Sequence, residues 1–160
     1  MTHLKYKTNL KQLNLPACSF RIKETEGSEM ILDPLRKKYV KLTPEEWVRQ
    51  HFIQYLIQAG GYPAGLIAVE RMFRQNKLVK RIDILVHDRQ GKPVMMVECK
   101  SPDTEITEVV FDQIVKYNME LKLPYIVVTN GLVNYACRVD HINKSFEYLM
   151  VIPLYKELPG

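Results

Sequence analysis

The chain has 160 residues, of which 46% are hydrophobic and 26% charged, and it carries a formal net charge of +5. That length sets one domain over 1–160 as the expectation, the composition is ordinary for a soluble globular protein, and no apolar run approaches the roughly 20 residues that span a bilayer. Cys18, Cys99 and Cys137 are too far apart for a metal-ligand spacing and odd in number for a disulfide framework, which suits a reducing cytoplasm; the basic balance suits a partner carrying phosphates.

The opening MTHLKYKTNLKQLNL is basic, without the apolar segment or cleavage site of a signal peptide. The first 20 residues are expected to form an irregular arm. Phe20–Leu32 reads as a hairpin turning near Glu26-Gly27-Ser28. Arg36–Lys38 is a basic cluster. The first strong helix starts at Thr43, the N-cap, with Pro44 in its first position and Glu46 three after the cap. Its stripe is Val48, Phe52, Tyr55, Leu56 and Ala59, and Gly60-Gly61 stops it.

A strand follows near Leu66–Arg74. Then come two extended runs, Val79–His87 and Pro93–Lys100, joined by Asp88-Arg89-Gln90-Gly91-Lys92 as a hairpin. A second helix is expected over Thr104–Leu121, with Ile106, Val110, Ile114, Tyr117 and Leu121 inward. Tyr125–Val128 is apolar throughout, as a buried parallel strand should be, and a helical crossover would reach it from the previous strand. Strands near Tyr135–Asp140 and Phe146–Val151 close the chain. The expected architecture is an α/β core in the order αβββαβ, spanning 42–140, with extra strands at both ends.

The chemistry concentrates in the central hairpin. Alternation puts Val94, Met96, Glu98 and Lys100 on one face of their strand. With Gln90-Gly91 at the tip, Asp83 falls opposite Glu98, within about 5 Å by Cβ. Two carboxylates that close repel unless a cation neutralises them. Hard oxygen donors at a half-open site suit Mg2+ or Mn2+, which could activate a water against a phosphodiester. Lys100 could orient that water or stabilise charge on the transition state.

Arg81-Ile82-Asp83-Ile84 followed by Val97-Glu98-Cys99-Lys100-Ser101-Pro102 resembles the PD-(D/E)XK nuclease superfamily. More closely, the region from Leu42 to Asp140 is similar to the N-terminal nuclease-type domain of type I restriction enzyme R subunits and its stand-alone relatives. The segments Glu45-Glu46-Trp47-Val48-Arg49 and Tyr125-Ile126-Val127-Val128-Thr129-Asn130-Gly131 share that likeness. The resemblance implies a restriction-endonuclease-like fold with a mixed sheet flanked by helices. It also implies Mg2+-dependent hydrolysis of DNA, with Asp83 and Glu98 as metal-binding acids and Lys100 as the catalytic lysine. Many members carry proline before the first acid, where Ile82 stands here. No phosphate-binding G-x-x-x-x-G-K occurs, so translocation along DNA is not expected of these residues.

Gln113 and Tyr117 lie four apart, with Gln113 on the expected apolar side of the second helix. The pair resembles the Q-x-x-x-Y motif of some nucleases of this superfamily, which makes Gln113 a further catalytic-site candidate. Glu46 is explained as a capping residue. Glu45 matches the first-helix glutamate that some relatives bring to the metal. His51 and His87 lack partners at ligand spacing, and Glu70 either approaches the site or pairs with an arginine. The expected partners are DNA and other restriction-system subunits, with a homodimer plausible for cutting a duplex and no membrane partner. The alternatives are an idle nuclease-fold module that binds DNA or a partner subunit, and an interaction protein whose acids are surface charge.

Overall fold

The structure is a computed structural model that describes residues 10–159. Of the expected N-terminal arm, residues 1–9 lie outside the described part. Residues 10–20 are irregular but docked: Asn14 donates its backbone N–H to the Gly131 carbonyl at 2.8 Å, and Leu13 is buried. Gly131 has φ +81°, and a Cβ there would come within 2.7 Å of Leu13. Glycine is what lets the arm approach.

Strands β1 (Ile22–Thr25) and β2 (Ser28–Asp33) form the expected hairpin, and β3 (Lys38–Lys41) joins them in a separate three-stranded antiparallel sheet. β3 was not anticipated, because it is four residues long and follows a basic run that reads as a solvated face. Helix α1 (Pro44–Gln58) begins where its cap predicts, with Thr43 Oγ1 accepting from the Glu46 amide at 3.0 Å. Its buried residues Val48, Phe52, Ile53 and Leu56 cover one face of the main sheet, while Ala59 at its end is exposed.

The main sheet holds six strands in chain order: β4 (Ile67–Gln75), β5 (Leu78–His87), β6 (Pro93–Cys99), β7 (Tyr125–Thr129), β8 (Asn134–Asp140) and β9 (Ser145–Leu149). All neighbours are antiparallel except β6 and β7, which the crossover through α2 (Glu108–Asn118) makes parallel. The observed order α1, β4, β5, β6, α2, β7 is the αβββαβ core. Alternation splits β7 cleanly: Tyr125 and Val127 face α1, whereas Ile126 and Val128 join Phe111 and Val115 of α2 on the other side. No helix among the described residues is long and apolar enough to cross a membrane.

Helix α2 starts later than expected. The Thr104 carbonyl accepts from Asn130 Nδ2 at 2.9 Å, and the Thr104 amide closes a turn onto Ser101 O. Those bonds hold the segment as a loop, and Thr107 becomes the N-cap. The inward stripe is also rotated by one residue. Phe111, Val115 and Asn118 are buried, with Phe111 packed among Tyr135, Phe146 and Tyr148. Tyr117 is 70% exposed and Gln113 lies in solvent, so the expectation that Gln113 faces the apolar side is corrected.

The β5–β6 register is Ile84↔Val97 and Leu85↔Met96, as expected, although the turn differs. Asp88 pairs with Lys92 through Asp88 N–H to Lys92 O, and a bulge between Val86 and His87 restores the register. Of the cysteines, Cys99 and Cys137 are buried, while Cys18 is half-exposed, and all three are free.

Candidate functional site

The ladder between β5 and β6 ends at Ile84↔Val97, one pair short of the two acids. Beyond it β6 continues only alongside β7, with Glu98↔Val128 and Cys99↔Thr129. The strands therefore part at Asp83, whose Oδ2 accepts the Cys99 amide at 2.9 Å. Face alternation breaks at the same place: Ile84 and Val86 belong to the α1 side, but Ile82 packs on the α2 side. On β4, pairing jumps from Val69↔Ile84 to Arg71↔Ile82, and the skipped Glu70 has φ +53°. A non-glycine residue in that conformation costs on the order of 1–3 kcal/mol and persists only where surroundings enforce it.

Glu98 and Lys100 are half-buried and form an ion pair, Lys100 Nζ to Glu98 Oε1 at 3.1 Å. Burial alone would depress the Lys100 pKa, but Glu98 and the more distant Glu45 and Asp83 hold it above the usual lysine value. Lys80 on β5 joins the same electrostatic neighbourhood. Burial lowers its pKa despite Glu98, its ammonium bonds to Asn118 Oδ1, and it lies 4.0 Å from the Tyr117 ring centroid. The solvent-facing Tyr117 of α2 is thereby tied to the site's rim.

The first turns of α1 supply the other wall. Arg49 is 4% exposed. Its Nη2 lies 2.7 Å from Asp83 Oδ1, 3.0 Å from Glu70 Oε1 and 3.5 Å from Glu45 Oε1. Its Nη1 pairs with Glu46 Oε2. Glu46 is buried and also accepts from Arg36 and from Gln50 Nε2, so its carboxylate is spent inside the protein. Arg36 is anchored in turn by Asp33, which is fully buried and accepts the Leu35 and Arg36 amides. Glu45 is the outermost acid. Burial first, and then the charges of Asp83 and Glu70, raise its pKa above the ordinary glutamate value.

Asp83 and Glu45 thus share Arg49 Nη2, the Glu98–Lys100 pair lies within electrostatic reach of both, and Gln113 stands apart on the exposed face of α2. A cleft of about 520 Å³ opens beside them, lined by Glu45, Arg49, Glu70, Arg36 and Ser101 among others. Among the described residues no three His, Cys, Asp or Glu side chains converge closely enough to hold a metal by themselves. His51 lies away from this site, packed against Trp47 and Phe20 with Cys18 Sγ 3.4 Å from its Nδ1. Glu70 both approaches the site and pairs with arginines, Arg49 and Arg81. Arg49 was not singled out from sequence. Its signal was a cation in register with Phe52 and Leu56 on the buried stripe of α1, where an unpaired charge is costly.

Residues 44–153 match the family described as type I restriction enzyme R protein N terminus (HSDR_N). A solved fragment assigned to an HsdR subunit of a type I restriction enzyme from Vibrio vulnificus YJ016 is similar over 73% of this chain and 24% of that one. The two are 20% identical, with a TM-score of 0.49. The chain thus spans about a quarter of that fragment's length. No curated protein matches the chain.

Proposed function

We propose, from the premise that this chain belongs to the family of type I restriction enzyme R protein N termini, that it hydrolyses DNA phosphodiester bonds with the help of a divalent cation. The observation that carries this reading is the opening between β5 and β6, two inner strands of the main sheet, where the Asp83 carboxylate and the Glu98–Lys100 ion pair stand at the point of parting. Charged groups in such a setting are costly unless they are used.

The donor set fits Mg2+ or Mn2+. Its members are hard carboxylate oxygens, and a guanidinium already stands among them as a resident cation. Burial first, and the neighbouring Asp83 and Glu70 charges after it, raise the pKa of Glu45 at the same place. Asp83 and Glu98 would hold the ion, with Glu45 as a further acid, and phosphate and water would complete the coordination. The ion would supply Lewis-acid polarisation and a more acidic water.

The side chains do the rest. Lys100, kept protonated by Glu98, donates to a phosphate oxygen or holds the attacking water. The Cys99 amide fixes the Asp83 rotamer so that its carboxylate is set before substrate arrives. Lys80 and Tyr117 border the opening on the α2 side, and they contact the DNA backbone together with Gln113, one turn earlier on the exposed face of α2. The setting is a cytoplasmic restriction system with other subunits, and a second copy could cut the opposite strand.

Incubating supercoiled and linear DNA with the protein in Mg2+ or Mn2+ tests this. Cleavage should depend on the metal and fall about 10²–10³-fold in Lys100→Ala. Activity that survives both chelation and Lys100→Ala would sink the reading. A second reading, a module that binds DNA without cutting it, is favoured by the absence of a closed metal-ligand set among the described residues. It predicts salt-dependent binding with no cleavage by wild type.

A further inference from the structure

Arg49 poses a problem of charge. Its guanidinium is buried, yet all its contacts are made by the two terminal nitrogens, and Nε is buried without an acceptor. A single nitrogen, Nη2, is shared by Asp83, Glu70 and Glu45, carboxylates from three separate elements. A permanent structural pair would instead match the fork of the guanidinium to one carboxylate. Nη1 makes that kind of lasting attachment, to the buried Glu46.

Glu70 is the second unusual partner. Its φ of +53° interrupts the β4–β5 ladder opposite Asp83, and that backbone conformation aims its carboxylate at the same nitrogen. The guanidinium therefore has two neighbouring resting places, one on Asp83 and one on Glu70, while Glu46 keeps it tethered.

We propose that Arg49 is a placeholder cation: it neutralises Asp83 when no metal is bound, and it yields Asp83 Oδ1 to an incoming divalent ion while staying held by Glu46 and Glu70. This rests on the metal-dependent reading above. Arg49 is in these terms a positioning residue. It keeps the acids together in the empty site, and it sets how tightly the metal binds, because every ion that enters must compete with it. Occupancy is then coupled to substrate, since DNA phosphates add the ligands that tip the competition.

The test is calorimetric titration of Mn2+ into wild type, Arg49→Met, Arg49→Lys and Asp83→Asn, with circular dichroism to establish that each is folded. Methionine keeps the length and removes the charge. Arg49→Met should bind Mn2+ about tenfold or more tightly than wild type, while its melting temperature without metal falls. A side chain that is only structural would not raise metal affinity when removed. Arg49→Lys keeps a charge for Glu46 but lacks the second fork nitrogen that reaches Asp83 while Glu46 is held, so it should bind Mn2+ several-fold more tightly and serves if Arg49→Met does not fold. Binding that is lost in Asp83→Asn but unchanged or weaker in both Arg49 variants would overturn the placeholder alone. No Mn2+ binding by any of the four, with or without a duplex oligonucleotide, would overturn it together with the metal-dependent reading.

Discussion

The backbone amide of Cys99 donates to Oδ2 of Asp83 at 2.9 Å across two strands that have stopped pairing. In a continuous ladder that amide would be spent on a carbonyl. Here the side chain of Asp83 replaces the missing strand partner, and its other oxygen meets Arg49.

Asp83→Ala should therefore be destabilising as well as inactivating. It orphans one buried amide and removes a carboxylate from a buried guanidinium, a combined cost of about 2–4 kcal/mol. Asp83→Asn keeps an acceptor for the amide and should cost less. Urea denaturation of both variants reads this directly. Equal stability of wild type and Asp83→Ala would mean the two contacts do not hold in solution.

The adjacent glutamates of α1 should separate. Glu46 is buried between Arg36 and Arg49, and Glu46→Ala should cost about 3 kcal/mol because it takes a shared buried carboxylate from both arginines, leaving Arg36 to Asp33 and Arg49 to Asp83 and Glu70. Glu45→Gln removes a charge that burial and neighbouring acids already disfavour, so it should leave stability unchanged or slightly raised. It should nonetheless weaken metal binding if Glu45 serves as an outer ligand. Melting curves of the two variants in chelator, and then in Mn2+, give both answers.

Gln113→Ala should leave the melting temperature within a degree or so, since the residue lies in solvent on α2. DNA affinity measured by fluorescence anisotropy should fall several-fold, by a similar factor at low and at high salt, because a neutral amide releases no counterions. Unchanged affinity would remove Gln113 from the DNA-contacting surface.

Stability should decline in acid through His51. Burial lowers its pKa from 6.5 to about 4, so the unfolded chain binds the proton first. The stabilising contribution is complete above pH 6.5 and is lost as pH falls toward 4, by about 3 kcal/mol at most. His51→Phe should flatten the change between pH 7 and pH 5 in denaturation experiments. An identical decline in the variant would assign the effect to other groups.

Sequence alone shows the core of this fold because its signals are local and strong: the Thr43–Glu46 cap, the apolar run of β7 and the turn after His87. The β5–β6 register also emerges, although through a turn that differs, because the bulge at Val86/His87 offsets the change. The face of α2 is misjudged because its periodic residues permit two neighbouring stripes, and packing of Phe111 against β8 and β9 selects one. The Asp83–Cys99 contact and the sharing of Arg49 among four acids arise only where β5 and β6 part. That divergence is tertiary, and no periodicity encodes it. Glu70 could be noticed as a charge in a strand, but its positive φ could not.

The most direct test of the central claim is calorimetric titration of Mg2+ or Mn2+ into wild type and Asp83→Asn in the presence of a short DNA duplex. Binding at millimolar or tighter affinity in wild type, abolished in Asp83→Asn, is the predicted result. Equal binding by the two proteins, or none by either, would contradict a metal centre at Asp83.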